Sequence, residues 1–314
     1  MFKRTAIAAG LGLALATTVQ AQQQEPIVTG DKLVDTYRWE LNADYTRGEW
    51  SANGIDDTET DEFTVGGSFY LSPVDTTLGP RGEAAFLDHA SDITLSYTYG
   101  EVDDNGIDID SDSYLISGRY VMDAGFIFEG AYRYYEPVNA EVDQFRLSAG
   151  YYLTETTTLI VDYLDSDVDD GGSFPEGVVE ASDTDGWNAR VEHFWGFGNN
   201  TGLKLQGNYG FINVDDADDV DLWGVGATWY ITQDIGIGAT YENTDYGILE
   251  SDDYGLFAEW FITQNIAVNL AYSHREPDDF DIDVELPDDG DINRFLRNSE
   301  LEFDAITLGA TLRF

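Results

Sequence analysis

Apolar residues fall at every second position through most of this chain. Between Trp223 and Ile231 the residues Trp223, Val225, Ala227, Trp229 and Ile231 share one face, while Gly224, Gly226, Thr228 and Tyr230 share the other. A period of two is the signature of a strand with unlike faces. Fourteen such segments can be followed, near 37–47, 61–71, 90–100, 113–122, 126–135, 144–153, 157–165, 187–195, 202–212, 220–231, 235–244, 254–262, 266–274 and 304–314. Each has about the ten residues that a tilted strand needs to cross a bilayer. A repeated phrase marks some of the corners. "WYITQDIGIGATY" (229–241) returns as "WFITQNIAVNLAY" (260–272), with echoes in "YYLTETTTLIVDY" (151–163) and "YVMDAGFIFEGAY" (120–132). An aromatic residue, a small polar turn and a new alternating run describe one hairpin corner, so the repeat is architectural.

The connections alternate too. Those after segments 4, 6, 10 and 12 are about three residues, "DAG", "TET", "TQD" and "TQN", and "GFGNNT" after segment 8 is slightly longer. Connections after odd-numbered segments are long. Short turns on one side and long loops on the other predict an all-β, antiparallel, up-and-down transmembrane barrel of about 14 strands. The exception is 72–89, on the short-turn side, where Glu83 to His89 could form one or two helical turns. Twelve or sixteen strands are the alternatives. "FDIDVEL" (280–286) with 293–301 would make sixteen, but it would put the acidic "PDDGD" on the short-turn side, so a hairpin standing above the membrane is preferred. Ile107 and Ile109 extend segment 4 outward.

Charge sharpens the asymmetry. The net charge is −46, and 44 of the 61 Asp and Glu lie in the long connections, opposed there only by Arg294 and Arg297. Such runs read first as solvated loops. Segments such as 167–172 and 281–291 also carry hard oxygen ligands suited to divalent cations, but without EF-hand spacing. The chain begins with Lys3 and Arg4, an apolar run from Thr5 to Thr18 and then Val19-Gln20-Ala21. This predicts a signal peptide over 1–21 and a barrel domain over 22–314. No later run has the roughly 18 apolar residues of a spanning helix, and the absence of Cys suits either a periplasmic protein or a closed barrel held by backbone pairing.

Aromatic residues mark two levels on the apolar face. Tyr120, Tyr151, Trp195, Trp229 and Trp260 sit at the short-turn end; Tyr99, Tyr114, Tyr134, Tyr163, Trp187, Trp223, Tyr241, Tyr254 and Tyr272 sit near the acidic loops. A soluble sandwich core gives no reason to sort aromatics by strand end, whereas a membrane barrel needs two interfacial girdles. The last residues, "AITLGATLRF", alternate up to Phe314. A final strand ending in an aromatic residue resembles the assembly signal of Gram-negative outer-membrane β-barrels, and the mature chain as a whole resembles that class, particularly its porin-like members. The resemblance implies an outer-membrane location, lipid contacts, and recognition of the C-terminal strand by the barrel-assembly machinery. It supplies no substrate motif, and no cofactor or nucleic acid is implied.

With the apolar positions facing lipid, the alternate positions face inward. Basic residues there are Arg38, Arg119, Arg133, Arg146, Arg190, Lys204 and Arg313; acidic ones are Glu40, Asp44, Asp92, Glu129, Asp162, Glu192, Glu242 and Glu259. A cation at mid-depth on the lipid face would cost about 2–4 kcal/mol, and this register puts none of these seven there. The bases on segments 4–9 lie roughly opposite the acids on segments 11, 12 and 1. Across a wet lumen they would set up a transverse field that sorts solutes by charge and dipole. The same groups could instead pair locally and fill the interior. Small inward residues such as Gly224, Gly226, Gly236, Gly238, Ser117 and Ser148 favour open volume. His89, His193 and His274 lack a plausible nucleophile partner, so no enzyme is expected. The expected function is a passive diffusion channel for ions or small polar solutes. A closed barrel whose acidic loops bind cations or a surface partner is the alternative.

Overall fold

A computed structural model of the chain describes residues 27–28, 33–52, 58–104, 107–136, 141–169, 183–214, 219–246, 250–277 and 301–314. The signal-peptide assignment, the "PDDGD" hairpin and the acidic tips of several long loops lie outside these residues.

Fourteen antiparallel strands close into a barrel. They are β1 (Thr36–Ala52), β2 (Thr58–Asp75), β3 (Asp92–Asp104), β4 (Ile107–Val121), β5 (Phe126–Glu136), β6 (Glu141–Thr154), β7 (Thr157–Asp169), β8 (Thr184–Gly198), β9 (Thr201–Val214), β10 (Val220–Tyr230), β11 (Ile235–Asp245), β12 (Glu250–Thr263), β13 (Ile266–Pro277) and β14 (Leu301–Arg313). Each strand pairs with its sequence neighbours, and β14 closes on β1 through pairs such as Leu312 with Leu41 and Arg313 with Glu40. Closure leaves no open edge, the condition for a sheet in hydrocarbon. A two-residue ladder, Ile27–Val28 with Leu33–Val34, precedes the barrel.

The strands run past the ten-residue membrane segments at the long-loop end. β1 has 17 residues and β2 has 18, and β4 begins at Ile107, taking in Ile107 and Ile109. In water, the outward face would be an untenable apolar surface: Trp39, Leu41, Leu95, Val225, Trp229, Leu256, Leu308 and many others are exposed. Its solvent is therefore hydrocarbon, and the polar groups turn inward.

The short turns follow local chemistry. Gly125, at φ 88°, permits the turn between β4 and β5. Asn199 (φ 52°) and Asn200 (φ 56°) form a two-residue turn with both central residues left-handed. The "GFGNNT" connection is thus as tight as the others, because β8 continues through Gly198. At the seam, the pairing of β1 with β2 shifts between Tyr37 and Trp39. There the Arg38 and Trp39 amides both donate to the Phe314 carbonyl, at 3.1 and 2.8 Å. The long connection after β2 holds a 3-10 turn, Arg81–Glu83, and a single helical turn, α1 (Ala84–Leu87).

Candidate functional site

The lumen divides along the barrel axis. At the short-turn end, strands β4 to β9 send inward a chain of alternating charges. Arg119 Nη1 lies 3.2 Å from Glu129 Oε1, and Arg190 Nη2 lies 2.6 Å from Glu129 Oε2. Arg190 also grips Asp162 through Nε at 2.8 Å and Nη2 at 2.9 Å, a two-point contact typical of guanidinium and carboxylate. Asn188 Nδ2 donates to the same carboxylate at 3.1 Å. On β9, Lys204 Nζ stands 3.2 Å from Glu83 and 3.6 Å from Glu192. Across the barrel, the fully buried Arg313 places Nε 3.3 Å from Glu40, and its guanidinium lies 4.1 Å from the Phe261 ring centre and 5.2 Å from that of Tyr37.

The bases on β4, β8 and β9 therefore have acids interleaved among them. At this level the expected basic wall facing an acidic wall gives way to local neutralisation. Buried charges in a low-dielectric interior are costly unless paired at hydrogen-bond distance, and antiparallel register brings partners from adjacent strands to the same height.

The connection 76–91 crosses this end of the lumen. Glu83 accepts from Tyr230 Oη on β10 at 2.6 Å as well as meeting Lys204 on β9. Gly82 packs against β12 so closely that an added Cβ would lie 2.3 Å from Glu259 Oε1. On the other side, Tyr152 of β6 donates to the Phe86 carbonyl at 2.9 Å and stacks on His89 with ring centres 3.8 Å apart. At the rim, Arg81 Nε donates to Asp234 at 2.6 Å, the Arg81 amide to the Gln233 carbonyl at 2.9 Å, and the Thr76 amide to the Asp35 carbonyl at 3.0 Å. Ala84 joins Tyr37, Tyr70 and Val74 in a small apolar core. Contacts with β1, β6, β9, β10 and β12 span the circumference, so the segment is a strap across the barrel mouth. Burial holds the Glu83 carboxyl above the ordinary glutamate range, against the opposing pull of Lys204.

Toward the long loops the arrangement changes. Arg133 and Arg146 point inward from β5 and β6, and among the described residues no carboxylate oxygen lies within 4.0 Å of either. On the far side of the ring, Glu242 on β11 makes no such pair among the described residues either, and Asp44 on β1 accepts from two amides, Asn269 at 3.1 Å and Asn42 at 3.4 Å. Nearest the rim, Arg275 pairs with Asp253 at 2.6 Å. Inward glycines at this level let amide side chains lie flat on the wall. A Cβ at Gly224 would meet Asn208, one at Gly226 would meet Gln206, and one at Gly309 would meet Asp44 and Asn269.

Of the inward residues expected from alternation, Arg38 alone is turned out of line: the bulge at Tyr37 leaves both Arg38 and Trp39 exposed. Asp92 sits beside Arg119 in the register, accepting from Thr94 at 3.1 Å. Tyr120, Tyr151, Trp195, Trp229, Trp260, Tyr114, Trp187, Trp223, Tyr254 and Tyr272 stand exposed on the outer face. Tyr163 packs on Trp187 and Tyr241 on Trp223, with ring centres 5.2 and 5.1 Å apart. His193 is on this face, its Nδ1 2.8 Å from Thr157 Oγ1.

Two features escape sequence reading. One is the strap, whose only signal was a connection of the wrong length on the wrong side. The other is that the long-loop girdle is hydrogen-bonded to acid: Tyr97 donates to Asp112 at 2.5 Å, Tyr99 to Asp110 at 2.7 Å, Tyr241 to Asp252 at 2.7 Å and Tyr272 to Asp304 at 2.5 Å, with Tyr45 to Asp61 and Tyr132 to Asp143 in the same role. A Tyr two places from a pair partner's Asp could have signalled it, once the register was known.

Residues 34–285 match a family model described as "Putative general bacterial porin". Among solved structures, the chain is similar to the outer membrane protein Omp33 of Acinetobacter baumannii, at 19% identity and a TM-score of 0.55, covering 89% of this chain and 99% of that one. Weaker likenesses include an anion-selective porin from Comamonas acidovorans (10% identity, 88% and 98% coverage, TM-score 0.42) and OprD from Pseudomonas aeruginosa (10%, 88% and 94%, 0.39). Comparison with curated proteins gives no match.

Proposed function

From its membership of the general bacterial porin family, to which the chain belongs, we infer that this outer-membrane diffusion channel admits ions and small polar solutes through a charged lumen entered past acidic extracellular loops. The observation that carries this reading is the inversion of the molecule. Hydrocarbon-compatible side chains cover its outside, and amides, hydroxyls and charges line its inside. The long loops are then extracellular and the strap is periplasmic.

The extracellular rim concentrates cations at low ionic strength, because acidic residues cluster there and the screening length is about 10 Å at 0.1 M salt. Deeper in, Arg133 and Arg146 against Asp44 and Glu242 act on whatever passes the rim. The C-terminal strand presents Phe314 to the barrel-assembly machinery after removal of residues 1–21. Divalent cations are candidates for the loop acids.

Single-channel recording from refolded protein in a planar bilayer, at low and high salt and under a salt gradient, tests the reading. Stable steps with cation preference that fades as salt rises are expected. Strong anion preference at low salt would overturn the rim's role. The strap favours a second reading, in which the resting barrel is shut at its periplasmic mouth. Silence from inserted, folded barrels would support that reading and shift attention to the loops.

A further inference from the structure

Among the described residues, the other inward arginines of the barrel each have a carboxylate within 4.0 Å, and Arg133 and Arg146 do not. They are neighbours. Arg133 pairs with Gln144 in the register and Ala131 pairs with Arg146, so the two guanidinium stems are diagonal on one face, about 7–8 Å apart at their roots. Arg146 Nε is buried without an acceptor. The nearest acid along the next strand is Asp162, beside Ser148 in the register, but Arg190 and Asn188 already hold both of its oxygens. Glu62 on β2 is the acid whose charge reaches Arg133, from beyond ion-pair distance; two like charges this close, one with an unsatisfied buried donor, favour an anion seated between them.

Their surroundings specify its character. Leu115 of β4 lies opposite Arg133 and Leu164 of β7 opposite Arg146, both inward and half-buried. The pair is thus flanked by apolar side chains, with Gln144 directly opposite Arg133 in the register. Paired guanidiniums match an oxyanion with two planar oxygens, and the leucines supply surface for a short carbon chain.

We propose that Arg133 and Arg146, flanked by Leu115 and Leu164, form a binding site for small organic carboxylates in the extracellular half of the lumen. The proposal deepens the channel reading by naming a solute class, but the site itself does not require an open pore.

The test uses the full barrel folded in detergent and then in a planar bilayer, with hexanoate as probe and acetate and inorganic phosphate as comparisons. Calorimetry in detergent should show hexanoate binding with a dissociation constant on the order of 1 mM, several-fold tighter than acetate or phosphate. Arg133→Gln and Arg146→Gln should each weaken it at least tenfold. Leu164→Ala should reduce hexanoate binding to the acetate level while leaving acetate unchanged. Arg47→Gln, on the outer face, should change nothing. Heat-modifiable electrophoretic mobility verifies folding of each variant. Arg146→Lys, which keeps the charge but loses the planar fork, should give an intermediate loss and serves if a Gln variant fails to fold.

In the bilayer, hexanoate should lower the chloride current of the wild type more than that of the arginine variants. Conducting barrels with hexanoate binding unaltered by these substitutions would overturn the site and keep the channel. Silent barrels that bind hexanoate through the arginines would keep the site and overturn the open-channel reading. Arginine-dependent binding in which phosphate equals hexanoate would overturn the organic assignment.

Discussion

The two halves of the lumen use the same residue types to different ends. In the periplasmic half, Arg119, Arg190, Lys204 and Arg313 are each fixed to carboxylates, and Glu83 of the strap is drawn into that network. In the extracellular half, Arg133, Arg146 and Glu242 face the lumen without ionic partners among the described residues. Charge engaged in a network holds the protein together and offers little to a solute. Charge held apart costs stability and remains available for recognition. Counting inward arginines therefore says little about selectivity until their partners are known.

The comparison can be broken most directly at the strap. Replacing residues 79–88 with a short Gly-Ser turn should raise single-channel conductance several-fold while folded mobility persists; an unchanged conductance would mean that the segment does not obstruct the pore. Arg190→Ala should cost about 3 kcal/mol or more in urea unfolding, because it strands the buried Asp162 without an ionic partner and leaves Glu129 to Arg119 alone. Arg133→Ala, by contrast, breaks no ion pair among the described residues and should cost under about 1 kcal/mol. Similar losses for the two would erase the distinction between the halves.

Selectivity should show the reverse order. Charge reversal Arg133→Glu should move the reversal potential under a salt gradient further toward cations than Arg119→Glu does, and further than Asp216→Lys, between β9 and β10 in the sequence, moves it toward anions. Equal shifts would count against a selective upper lumen.

The smallest expected effect is on pH. The Glu83 carboxyl is raised by burial, so protonation favours the seated strap. That contribution is fully present below the ordinary glutamate range and is lost as pH rises through the raised value. Conductance should accordingly fall as pH is lowered from neutral toward 5, and Glu83→Gln should flatten the response. A pH dependence that survives in Glu83→Gln would assign it elsewhere.

Much of the fold was readable from the chain because alternation is a property of each strand alone. The faces of β10 follow from Trp223, Val225, Ala227 and Trp229 without knowledge of any other strand, and the girdles follow from where such faces meet water. Arg38 shows the limit: a bulge beside the C-terminus shifts the period by one, and nothing in the local pattern announces it.

By itself, then, the sequence determined the closed antiparallel barrel, its lipid and lumen faces, its two aromatic levels and the side on which acid accumulates. Only the tertiary structure decided which charges neutralise one another and that 76–91 folds back across the mouth. The physical reason is range. Side-chain direction in a strand is set by the two-residue pleat, whereas an ion pair such as Arg190 with Glu129 depends on the heights of residues 61 positions apart. A strap anchored on β6, β9, β10 and β12 exists only once those strands surround it.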